Sequence, residues 1–137
     1  MQAKFIQNGK SLDYKPAAAK EAGDVVVLED LVCICETDIA ADTLGAVATE
    51  GVFKVYAADD DTSEVSIGEK IYFDEDGDPS TGTAGTGCFT TTATGNKFAG
   101  HAVQRPGKSA ADAAKETTDG DLYIRLQQTS PADPSGS

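Results

Sequence analysis

The chain has 137 residues, 23 of them acidic and 11 basic, for a formal charge of −12. Such a length fits one domain of roughly 100–200 residues, and 39% hydrophobic content with 7% aromatics and no Trp fills one modest core. No apolar run reaches the roughly 18 residues of a membrane span, the opening MQAKFIQNGK lacks the apolar stretch of a signal peptide, and the acidity disfavours binding to nucleic-acid phosphates.

Residues 4–7 read as a first strand stopped by Asn8-Gly9, a strong turn dipeptide, with residues 11–14 as its hairpin partner. The stretch 16–24 (PAAAKEAGD) is a connection bracketed by Pro16 and Gly23. Residues 25–28 and 31–36 are short, β-branched and apolar, and strand alternation puts Cys33 and Cys35 on one face. Residues 44–48 and 52–57 flank Glu50-Gly51 as the arms of a hairpin. Val52, Lys54 and Tyr56 then share one face, and Phe53, Val55 and Ala57 the other. Asp59-Asp60-Asp61 marks a solvated turn. A strand over 70–73 is entered through Gly68, and strands over 88–92, 97–103 and 122–126 complete the set; alternation groups His101 with Ala99 and Val103. Only 109–116 (SAADAAKE) reads as helical, with Ser109 as N-cap.

About nine short strands between Gly, Asp and Asn turns predict an all-β fold, a small barrel or sandwich with at most one short helix in a loop. We expect a single β domain over 1–127, with an N-terminal arm and first hairpin in 1–20. The tail 128–137 is Pro, Ser and Gly-rich and is expected to be disordered.

Charge is unevenly placed. Lys4, Lys10, Lys15 and Lys20 against Asp13 give residues 1–20 a charge of +3, whereas residues 21–78 hold 17 acids against Lys54 and Lys70, for −15. An arm with Lys4, Lys10 and Lys15 as charges and Phe5 and Ile6 as apolar anchors is therefore a candidate partner contact. The competing reading is an ordinary strand with solvated lysines.

The motifs that carry chemistry fail one by one. Gly107-Lys108-Ser109 ends like a phosphate-binding loop, but the required first glycine falls on Ala102, and the same tripeptide recurs at Gly9-Lys10-Ser11. Asp74, Asp76 and Asp78 are weak metal candidates, since alternate carboxylates can converge on a hard cation. Counted from Asp74, however, the calcium-loop glycine and glutamate positions hold Pro79 and Gly85. Three cysteines, Cys33, Cys35 and Cys88, form no CxxC, and they read as small buried hydrophobes in a reducing compartment. The single histidine, His101, reads as structural. No serine has a nucleophile-elbow context, and the glycine-rich 82–87 reads as a loop tip. No enzyme and no cofactor is expected.

Five segments do form a pattern, in order: Lys4-Phe5-Ile6-Gln7-Asn8-Gly9; Glu50-Gly51-Val52-Phe53; Gly68-Glu69-Lys70-Ile71-Tyr72-Phe73-Asp74; the run TTTATGNKFAGHAV over 90–103; and the closing strand over 122–126. Together they resemble a family of tailed-bacteriophage capsid decoration, or cement, proteins. Residues 75–87 and the Ala-rich 109–118 depart from the family's shorter turns. The resemblance implies a structural virion protein on the outer surface of a phage head, made in the host cytoplasm. It would bind the major capsid protein, stabilise contacts between capsomers, and form a homo-oligomer, a trimer being favoured. Neither nucleic acid nor membrane is an expected partner. The alternative is a surface or secreted β-module that binds an ion or carbohydrate.

Overall fold

A computed structural model describes residues 2–4, 9–59, 64–105, 107 and 120–127. Among them are nine strands and no helix: β1 (Ser11–Tyr14), β2 (Val25–Leu28), β3 (Leu31–Cys35), β4 (Gly45–Ala48), β5 (Gly51–Tyr56), β6 (Lys70–Asp74), β7 (Cys88–Thr90), β8 (Lys97–Ala102) and β9 (Asp121–Leu126). They form two antiparallel sheets, ordered β1-β4-β3-β2 and β5-β9-β8-β6-β7. The expected all-β fold is present as a sandwich. A parallel bridge, Ala57↔Phe89, brings the far edges of the larger sheet together at one point without closing a barrel. The expected strand over 4–7, helix over 109–116 and tail over 128–137 fall on residues outside those described.

β2 and β3 form the tightest local unit. Leu28 pairs with Leu31 across a two-residue turn in which Glu29 takes the left-handed conformation, φ 58°. β3 is apolar on both sides. Val32 and Ile34 face the larger sheet and join Val55, Ile71, Phe73, Phe89, Leu122, Ile124 and Leu126 in the main core. Cys33 and Cys35 face the other way and pack with Val26, Ile39 and Val47. Full burial of such side chains stabilises by about 1.5–3 kcal/mol each, so β3 anchors both layers.

Two local expectations are corrected. β4 and β5 are not hairpin arms: β4 pairs with β1 and β3 in one sheet, and β5 pairs with β9 in the other. Thr49 makes the crossing. It is buried, its amide donates to the Lys10 carbonyl at 2.9 Å, and its hydroxyl donates to the Gly9 carbonyl. Those bonds tie the end of β4 to the chain entering β1, and Gly51 at φ 133° then redirects the backbone into β5. The partner observed for residues 11–14 is accordingly β4.

The second correction concerns β8. Ile71 pairs with Gly100 but Tyr72 pairs with Phe98, so Ala99 is an extra residue in a β-bulge. Alternation is interrupted there: Ala99 and Ala102 both enter the core, while His101 shares the outer face with Phe98 rather than with Ala99. Gly100 is required at this bulge, because a Cβ would run into the Arg125 carbonyl oxygen of β9.

Candidate functional site

The acidic turn after β6 is folded on itself. The Asp74 carboxyl is raised above its ordinary value, chiefly by the hydrogen bond it shares with Asp76. Asp78 is occupied differently: its Oδ1 accepts the Gly85 amide at 2.7 Å, and its carbonyl accepts the Asp59 amide at 2.9 Å. The Gly87 amide donates to the Gly77 carbonyl at 2.8 Å and closes the loop over 77–87. Asp74 and Asp76 are thus brought together and Asp78 is turned to the loop. Among the described residues, no group of three or more His, Cys, Asp or Glu side chains is arranged to hold a metal.

The arm candidates divide. Lys4, Lys10 and Lys15 are exposed, Lys10 and Lys15 at the two ends of β1, and Phe5 and Ile6 lie outside the described residues. Ala102, where a phosphate loop would need glycine, is a buried strand residue paired with Ile124.

The three thiols are all free and buried. Burial pushes Cys33 up to about 11 and moves Cys35 in the same direction. They act as packing groups, as the alternation of β3 suggested.

A cleft of about 550 Å³ opens between the two sheets, floored by Val25, Ile34, Phe53, Val55, Phe73 and Phe89 and rimmed by Lys20, Asp24 and Lys54. Its described walls carry no His, Cys or Ser.

The outer face of the larger sheet is the feature that sequence reasoning missed. Val52 on β5 is 62% exposed and Tyr56 36%. The Lys54 ammonium lies 5.8 Å from the Tyr56 ring centroid, and the Arg105 guanidinium 5.5 Å from that of Tyr123. The Phe98 ring meets Tyr72 edge-on at 5.8 Å and His101 edge-on at 5.7 Å. His101 Nδ1 is 3.2 Å from Gln127 Oε1. Half of this face was visible in the alternation of Val52, Lys54 and Tyr56; the bulge at Ala99 concealed the rest.

A family model described as phage cement protein matches residues 6–119, most of the chain. The chain belongs to that family. No curated protein and no solved structure matches it. Membership gives it a structural, capsid-associated role in a bacteriophage. The matched span stops short of β9, whose Leu122, Ile124 and Leu126 are nevertheless central to the core.

Proposed function

We propose that this cement protein binds the outer surface of the phage head and stabilises contacts between capsomers of the major capsid protein. The observation that carries this is the family match over residues 6–119. The structure is compatible with it: a sandwich that buries an apolar core between its sheets presents one broad, polar and aromatic sheet face to solvent. Synthesis in the host cytoplasm accords with three thiols that remain unpaired. A homo-oligomer, favoured as a trimer, would raise the effective concentration of each contact, so that modest affinity per copy suffices on a repetitive shell. The N-terminal residues Lys4, Phe5, Ile6, Lys10 and Lys15 supply a further contact, on the strength of the +3 charge of residues 1–20.

The test uses purified heads of the same phage stripped of this protein. Added back, it should cosediment with the heads, decorate their outside in electron micrographs, and raise the temperature at which they release DNA. Failure to cosediment at any protein concentration sinks the reading.

A further inference from the structure

We propose that the outer face of the five-stranded sheet is the docking surface of this protein, and that it takes a carboxylate-rich protein surface. The inference rests on the shell reading above, since it names the part of the chain that grips the shell and the chemistry it grips.

The argument begins with register. Val52 pairs with Arg125, Arg125 with His101, and His101 with Lys70, so one row across β5, β9, β8 and β6 carries these four side chains on one face. The next residues along β5 and β9 on that face are Lys54 and Tyr123, also paired. A chain of charge −12 has therefore gathered basic groups at one end of this sheet face, and Asp74 and Asp121 lie on the same face at its other end. Lys54 and Arg125 are like charges at diagonal positions on neighbouring strands and repel weakly, and among the described residues neither Lys70 nor Arg125 has a carboxylate within ion-pairing distance. An external anionic surface would relieve that repulsion, and exposed Val52 and Tyr56 supply apolar area for it to cover.

The aromatic groups distinguish a protein from a nucleic acid as the partner. Base stacking needs open ring faces. Here Phe98 packs edge-on with both Tyr72 and His101 at interplanar angles of 73° and 76°, Arg105 lies over Tyr123, and Lys54 lies over Tyr56. The rings are engaged with one another and with cations. The −15 carried by residues 21–78 further repels a phosphate backbone.

Lys54→Glu with Arg125→Glu tests the proposal, because both side chains are exposed and neither fills the core. Wild type and variant are titrated onto stripped heads across a salt series, with circular dichroism and thermal melting as folding controls. The variant should keep the wild-type melting temperature to within a few degrees and bind heads roughly tenfold or more weakly at low salt, the difference shrinking as salt screens it. The same change of charge at Lys10 and Lys15 should weaken binding by no more than about threefold, which separates a docking face from general repulsion. Equal binding of wild type and the Lys54/Arg125 variant, with wild type bound, overturns the docking face and leaves the shell reading intact. No binding by wild type overturns both. A labelled single-stranded oligothymidine is the second probe. No binding to it is expected, and binding abolished by the same two substitutions overturns the assignment to a protein partner.

Discussion

The two sheets of this sandwich use the same strand chemistry to opposite ends. In the four-stranded sheet, β3 is apolar at every position from Val32 to Cys35 and buried on both sides. Its inner residues meet the second sheet, and its outer residues are roofed by Ile39, which the Lys20↔Ile39 bridge holds in place. In the five-stranded sheet, β6 and β9 alternate strictly, with Ile71, Phe73, Leu122, Ile124 and Leu126 inward and Tyr72, Tyr123 and Arg125 outward. A sheet covered on both faces needs continuous apolar runs, whereas one with a solvated face needs period two. The difference therefore separates labour: the first sheet is committed to cohesion, and the second keeps a face available for contact.

The most damaging test of this comparison contrasts two glycines. A Cβ on Gly100 would strike backbone, the Arg125 carbonyl oxygen, and backbone in the middle of a sheet cannot yield. A Cβ on Gly45 would meet Ile39 Cδ1 and Cγ1 at 2.6 Å and Cγ2 at 2.9 Å, so the whole buried side chain must shift, although no backbone blocks it. Gly100→Ala should therefore lower stability by about 3 kcal/mol or prevent folding, and Gly45→Ala by about 2 kcal/mol. Urea denaturation followed by circular dichroism measures both. Equal losses would mean that the two sheets are equally rigid.

Cysteine chemistry tests the buried outer cluster next. Cys33 and Cys35 are raised by burial, so the folded chain holds their protons where an unfolded chain would release them. Stability from this source is intact below roughly pH 8.5, where a free thiol titrates, and is lost as pH rises through about 11. The urea midpoint should fall over that window in the wild type and fall less in Cys33→Ala. A thiol reagent should react quickly only after unfolding; rapid reaction of the native protein would show that the roof over this cluster opens.

How much of this was legible can be judged from particular residues. The strands read at 25–28, 31–36 and 70–73 match β2, β3 and β6 to within one residue, because β-branched and aromatic residues alternate or run between Gly and Asp turns. The faces of β5 were readable for the same reason, Phe53 and Val55 inward, Lys54 and Tyr56 outward. Partner choice was not. Glu50-Gly51 has hairpin chemistry, and only the bonds of buried Thr49 to Gly9 and Lys10, some forty residues away, send β5 to the other sheet. The docking row was hidden likewise, since a one-residue bulge reverses every later side chain in β8 and leaves no local trace except Gly100.

A smaller effect should distinguish the sheet face from the N-terminal lysines. Reversing Lys4, Lys10 and Lys15 to Glu should weaken binding to stripped heads by about threefold at low salt and leave melting unchanged, because exposed flexible charges act mainly by steering. A loss larger than that of the Lys54 and Arg125 reversal would move the principal contact from the sheet to the arm.

The smallest effect belongs to the ion pair that links the layers. Lys97 opens β8 in the larger sheet, and its Nζ lies 2.6 Å from Oδ1 of Asp30 in the β2–β3 turn of the smaller one. The contact holds the Asp30 carboxyl below its ordinary value and raises Lys97, first through the hydrogen bond and then through charge. Asp30 is 91% exposed, however, so water and salt compete with Lys97 for it. The contribution of Asp30 is present above the pKa of an unfolded carboxylate and lost as pH falls through its lowered folded value; that of Lys97 is lost only as pH rises through its raised one. Asp30→Asn should shift the urea midpoint slightly near neutrality, and the shift should vanish in acid and in high salt. A shift as large as that of Gly100→Ala would place the bond between the sheets in this pair. The apolar layer of Val32, Ile34, Ile71 and Ile124 argues otherwise, because its side chains are buried and carry no charge for salt to screen.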